Sequence, residues 1–172
     1  LLWNERLFTD HLRSRIPALV VLSYRTYEAR KPDWTYDTYK ETLTRVLQRL
    51  RQAVPAASIL VTGAPDQAYR YSARRIVPAE PVDRILAAQR DAALAAGCAF
   101  WNLRAAMGGK GSIRQWVNAG VGQGDFVHLT PAGYRLWGEA LSALLLGQYE
   151  IFVSVRRQIM GMERNGSPIK TH

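Results

Sequence analysis

Three short apolar runs constrain the fold of this chain more than any other feature. Ala18-Leu19-Val20-Val21-Leu22, Ser58-Ile59-Leu60-Val61-Thr62 and the stretch from Cys98 to Leu103 are separated by segments of helical periodicity. Continuous runs of branched residues suit strands buried on both faces of a parallel sheet, since the crossover helices cover both faces. Strands of this kind alternating with amphipathic helices predict an α/β domain, three-layer α/β/α around a parallel sheet.

The helices read from spacing. Residues 3 to 15 put Trp3, Leu7, Phe8 and Leu12 on one face and Glu5, Arg6, Asp10 and Arg13 on the other, and Pro17 ends the segment. Thr35 caps a helix whose apolar positions Tyr36, Tyr39, Leu43, Val46, Leu47, Leu50 and Val54 step by three and four until Pro55. Pro81 opens a third, carrying Val82, Ile85, Leu86 and Leu94 and closed by Gly97. Thr130-Pro131 opens the last, with Leu136, Trp137, Ala140, Leu141, Leu144 and Leu145 on its inner face. Gly147 is one candidate end, and residues 149 to 159 can also continue it as a mixed basic and apolar helix. Residues 1–150 are thus expected to form the domain, and 151–172 a helical extension with a frayed tail. The polar stretch through Tyr69, Tyr71, Arg74 and Arg75 is expected to be a loop long enough to be functional.

Composition narrows the function. With 48% hydrophobic and 22% charged residues the 172-residue chain is globular. Its longest apolar run, Leu141 to Leu146, falls far short of the ~18 residues of a spanning helix. Cys98 is the single cysteine, which excludes an internal disulfide and suits a buried thiol. A net charge of +9 raises the question of nucleic acid. The charge is scattered over Arg45, Arg49, Arg51, Arg70, Arg74, Arg75, Arg90, Arg156 and Arg157 without a recognition motif, so it is read as solvated helix faces and no nucleic-acid partner is expected. The Gly-rich segment Met107 to Ser112, followed by a short amphipathic piece with Ile113, Trp116 and Val117, is not a phosphate loop. Arg104 stands where the first Gly belongs, and Gly111 where Ser or Thr belongs. His11 and His172 are the other histidines, and no ligand pair has metal spacing, so neither metal nor cofactor is expected.

The chemistry concentrates in Asp125-Phe126-Val127-His128, followed by Leu129-Thr130-Pro131-Ala132-Gly133-Tyr134. An aspartate three residues before a histidine, in a loop that opens a helix, can hold the imidazole in one tautomer as a general base. The same residues also fit an Asp-capped loop with a structural histidine. Ser23 and Ser112 are candidate nucleophiles, but neither lies on a sharp strand-to-helix turn. Glu28 reads as a rim hydrogen-bonding residue, Asp66 as a loop carboxylate, and Trp34 and Trp116 as core aromatics before sugar-stacking ones. Ligands of such sheets bind beyond the carboxyl ends of the strands. Ser23 to Glu28, Gly63 to Asp66 and Leu103 to Gly111 should therefore share one rim, with the Asp125–His128 loop close to it.

Asp125-x-x-His128 with its Leu-Thr-Pro-x-Gly-Tyr resembles the last motif block of the SGNH, or GDSL-type, esterases and lipases, and Val20 to Ala29 is similar to that family's third block. The resemblance covers residues ~1 to 150 and implies a flavodoxin-like SGNH hydrolase fold lacking its first strands. It also implies a Ser-His-Asp ester hydrolase with His128 as the base and Asp125 as its orienting carboxylate. A carbohydrate O-acetyl or other small acyl ester is the implied substrate, and a periplasmic or extracellular site fits many members. The third-block Gly and oxyanion Asn positions are here Arg25 and Tyr27, and no Gly-Asp-Ser occurs. The nucleophile block is accordingly expected upstream of Leu1, and the chain alone is expected to be inactive. A degenerate domain that binds glycan or a protein partner is the alternative. Missing first strands would leave the Leu19–Leu22 edge unpaired and open to self-association.

Overall fold

The computed structural model describes residues 4–24, 34–72 and 74–164. In chain order these form α1 (Glu5–Arg15), β1 (Leu19–Ser23), α2 (Tyr36–Ala53), β2 (Ser58–Thr62), β3 (Ala68–Arg70), β4 (Ile76–Pro78), α3 (Pro81–Ala95), β5 (Ala99–Trp101), α4 (Leu103–Ala106), α5 (Ile113–Asn118) and α6 (Pro131–Arg164). β1, β2 and β5 make a central parallel sheet in that order within a three-layer α/β/α frame. Ser23 lies beside Thr62, and Thr62 beside Trp101, so all three strands end level at one rim.

One core forms where α2 and α3 close on the sheet. Tyr39, Leu43, Leu47 and Leu50 of α2 meet Val82, Ile85, Ala88 and Ala92 of α3 over Ile59 and Val61 of β2. Burying a side chain such as Leu47 contributes about 2 kcal/mol. α2 starts where Thr35 accepts a hydrogen bond from the Thr38 amide. A second cluster of Ala68, Leu103, Met107, Ile113, Phe126 and Leu129 lies under the Asp125–His128 loop. Cys98 is a buried free thiol.

Several expectations change. β1 was expected to be buried on both faces, yet Leu19 and Val21 are 40% and 41% exposed while Val20 and Leu22 pack on the core. The strand is an edge, and one of its faces is open. Leu7 is exposed rather than inward, because α1 rests on the core through Phe8 and Leu12; Trp3 lies outside the described residues. The third strand is shorter than expected, because Asn102 caps α4 by accepting from the Ala105 amide. The expected loop through Tyr69 and Arg75 is an antiparallel hairpin, β3 on β4. α6 runs through Gly147 to Arg164, and Leu136, placed on its inner face by spacing, is exposed. No helix among the described residues is long and apolar enough to cross a membrane. The tail beyond residue 164 lies outside them.

Candidate active site

The loop between α5 and α6 is built so that Asp125 meets His128. Asp125 Oδ1 accepts from the amides of Val127 at 3.0 Å and His128 at 2.9 Å, and Oδ2 lies 2.5 Å from His128 Nδ1. The double amide contact is the local turn an aspartate favours. It aims the second carboxylate oxygen at the ring. Partial burial pushes the Asp125 carboxyl up. Hydrogen bonds from the His128 ring and from the His128 and Val127 amides, with the charge of His128, more than offset this and hold it below the ordinary value of 3.8. With Asp125 ionised, Nδ1–H donates to it. Nε2 is then the acceptor, and its side chain is 41% exposed.

Phe126 makes this turn possible at a cost. Its φ is 59°, the left-handed region, which costs a residue with a Cβ about 1–2 kcal/mol. The surroundings over-determine it. Its ring is buried at 3% exposure, its carbonyl accepts from the Ala68 amide at 3.1 Å, and its amide donates to the Gln123 carbonyl at 3.0 Å. The Arg70 guanidinium lies 4.9 Å from the ring centroid. The far side of the loop is fixed too: the Gln123 amide donates to the His128 carbonyl at 2.8 Å, and its side chain to the Leu129 carbonyl at 3.0 Å.

The motif's Thr130 and Gly133 have separate physical roles. Thr130 Oγ1 donates to the Gly120 carbonyl and accepts from the Gly133 amide, capping α6. A Cβ on Gly133 would lie 2.0 Å from the Val121 carbonyl oxygen, so only glycine lets the helix start this close to the loop.

The segments after β2 and β5 meet around this loop, whereas of the expected rim segment Ser23 to Glu28 only Ser23 and Tyr24 are among the described residues. The Ala68–Phe126 bond ties the segment after β2 to it. Asp66, buried at 1% exposure, is more than a loop carboxylate: its Oδ2 accepts from the Ile113 amide and draws the segment after β5 to the same rim. Gln89, wholly buried on α3, accepts from the Ala64 amide and donates to the Tyr39 hydroxyl, fixing the loop that begins at Gly63. The Gly-Lys segment has a structural task. Lys110 and Arg104 each lie 2.6 Å from an Asp83 carboxylate oxygen, and the Lys110 hydrogen bond foremost lowers that carboxyl's pKa.

The other candidate residues are not gathered here. Arg25, Tyr27 and Glu28 lie outside the described residues, as does His172. Ser23 ends β1, exposed, at the rim. The Ser112 hydroxyl is buried without a hydrogen-bond partner among the described residues. Trp34 packs edge-on against Tyr39 of the core, and Trp116 donates to the Met107 carbonyl, so both are structural. Among the described residues no three His, Cys, Asp or Glu side chains gather as metal ligands. Sequence reasoning assigned no site role to Phe126, Arg70 or Gln89. Phe126 carried no signal, because nothing in its type marks a left-handed position.

No protein-family model matches the chain, and no curated protein matches it. Solved structures do. A peptidoglycan O-acetylesterase is 28% identical, covers 81% of this chain and superposes with a TM-score of 0.73. The chain spans 41% of that protein's length. A lipase/acylhydrolase from Enterococcus faecalis is 16% identical with a TM-score of 0.60, over 83% of this chain and 68% of the other, which shows a shared fold. With its parallel sheet and rim in place, the chain is structurally homologous to members of the SGNH/GDSL-type esterase family.

Proposed function

We propose that this chain supplies the acid–base half of an SGNH-type ester hydrolase, acting on a carbohydrate O-acetyl or other small acyl ester. The observation that carries the reading is the 2.5 Å approach of Asp125 Oδ2 to His128 Nδ1, which leaves Nε2 as a poised base. In the reaction, His128 Nε2 takes the proton of a serine hydroxyl as its oxygen attacks the ester carbonyl. The tetrahedral intermediate collapses to an acyl-serine while the imidazolium protonates the departing sugar alcohol. Nε2 then deprotonates a water whose oxygen attacks the acyl carbon; as that second tetrahedral intermediate collapses, the acyl–serine bond breaks, the acid leaves and the imidazolium returns the proton to the serine oxygen. Asp125 stays ionised throughout and stabilises the imidazolium. Likeness to a peptidoglycan O-acetylesterase supports the choice of ester.

The nucleophile block of the family has no counterpart in these 172 residues. The test therefore uses a protein in which this chain accompanies a Gly-Asp-Ser segment. His128→Ala should lower p-nitrophenyl acetate turnover by about 10⁶-fold. Undiminished turnover would refute the assignment. The second reading, a non-catalytic domain that binds glycan or a protein partner, is favoured by Arg25 and Tyr27 at the two oxyanion-block positions. His128-dependent esterase activity in this chain alone would rule it out.

A further inference from the structure

The hairpin of β3 and β4 is stapled to the Asp125–His128 loop and brings an unneutralised cluster of positive charge beside it. Arg70, Arg74 and Arg75 are all exposed, and none has a carboxylate partner among the described residues. Arg6, Arg45, Arg90, Arg104 and Lys110 do have carboxylate partners, in Asp10, Glu41, Asp91 and Asp83, whereas the hairpin gathers three arginines without one. Asp66, on the chain just before the hairpin, accepts from the Ile113 amide, and Asp125, in the loop bonded to the hairpin, faces His128.

Two of the three arginines are held in place. Arg70 lies over the Phe126 ring at 4.9 Å, and Phe126 sits between the acid and the base of the pair. Arg75 lies over the Tyr71 ring at 5.2 Å, and the Tyr71 amide closes the hairpin on the Arg75 carbonyl at 2.9 Å. Stacking on an aromatic face leaves the edge of a guanidinium free to donate in pairs to a carboxylate or phosphate. A fixed surface cluster of one sign also raises the local concentration of anions.

We propose that this hairpin is an anion-binding lip that selects an acidic glycan, one bearing carboxylate or phosphate groups, for the site at His128; the substrate role rests on the esterase reading, whereas the binding does not. Tyr71, 65% exposed beside Arg75, offers a sugar-stacking face in the same lip.

The experiment titrates the chain with a carboxylated oligogalacturonate, a phosphorylated mannan, neutral dextran and duplex DNA, following affinity by calorimetry and sites by amide NMR. At least one acidic glycan should bind, dextran should not, and shifts should centre on Arg70, Tyr71, Arg75 and His128. The carboxylated and phosphorylated arms identify which group is recognised. Removing three paired guanidinium contacts in the variant Arg70→Gln, Arg74→Gln, Arg75→Gln should weaken binding by about tenfold or more. The variant Arg84→Gln, Arg156→Gln, Arg157→Gln, with the same change in net charge, should bind as the unaltered chain does. Equal weakening by both variants, absence of binding to either acidic glycan, or tighter binding of DNA than of both glycans would overturn the proposal. Failure of the esterase reading is distinct: glycan binding would persist with no His128-dependent turnover in the protein that carries a Gly-Asp-Ser segment.

Discussion

The first turn of α6 and its middle use one helix in opposite ways. At its start, Gly133 lies so close to Val121 that a Cβ would come within 2.0 Å of the carbonyl oxygen, and Thr130 bonds both to Gly120 and to the helix's own Gly133 amide. Farther along, a Cβ on Gly147 would meet nothing within 4 Å among the described residues, and Tyr149, Ile151 and Phe152 are each more than half exposed. The first turn is therefore fixed by its neighbours, and the later turns by their own ladder of hydrogen bonds. Precision in this molecule is spent where the helix delivers His128, and a strained Phe126 survives there because its surroundings leave it no alternative.

That contrast can be broken by mutation. Phe126→Ala removes a buried ring from the second core cluster and should cost about 3–4 kcal/mol in denaturant unfolding. A cost under 1 kcal/mol would show that the loop is not packed as described. Gly133→Ala must displace either the helix or Val121 and should cost about 3 kcal/mol. Gly147→Ala, an alanine for a glycine inside the same helix with open space around it, should instead stabilise by about 0.5–1 kcal/mol. Equal effects at the two glycines would erase the contrast.

The electrostatic effect falls between these in interest and below the core changes in size. Because the Asp125 carboxyl is held below 3.8, its contribution is full above the unfolded value and is lost as pH falls through the lower folded value. Asp125→Asn keeps an oxygen for the turn but removes the charge. The stability gap between it and the unaltered chain should stay under about 1 kcal/mol, since the pair is half-exposed, and should shrink with acidification across that window. A gap that widens toward low pH would contradict the assignment.

Much of the frame was legible because its signals are local. α2 and α3 declared themselves through their caps, spacing and flanking prolines, and β2 through its unbroken apolar run. Asp125 and His128 were legible for the same reason, since a bond from i to i+3 needs no distant partner. What failed depends on tertiary context. The apolar run of β1 reads like that of β2, but Leu19 and Val21 lie on a face of the sheet that is left exposed, and what packs over a face is not specified by the run itself. The hairpin has three-residue strands containing Arg70 and Pro78, too short for a period, and its anchor is a bond from Ala68 to a residue far along the chain. The positive φ of Phe126 is likewise imposed from outside by packing and by the Ala68 amide.

The central claim is that Asp125 holds His128 with its proton on Nδ1 and its Nε2 free to act as a base. Proton NMR of the chain labelled with nitrogen-15 in its histidines reads this directly. The account predicts a downfield, slowly exchanging ring N–H resonance on His128 Nδ1 that disappears in Asp125→Ala. A His128 ring protonated on Nε2 in the neutral form, or a spectrum unchanged by Asp125→Ala, would contradict it.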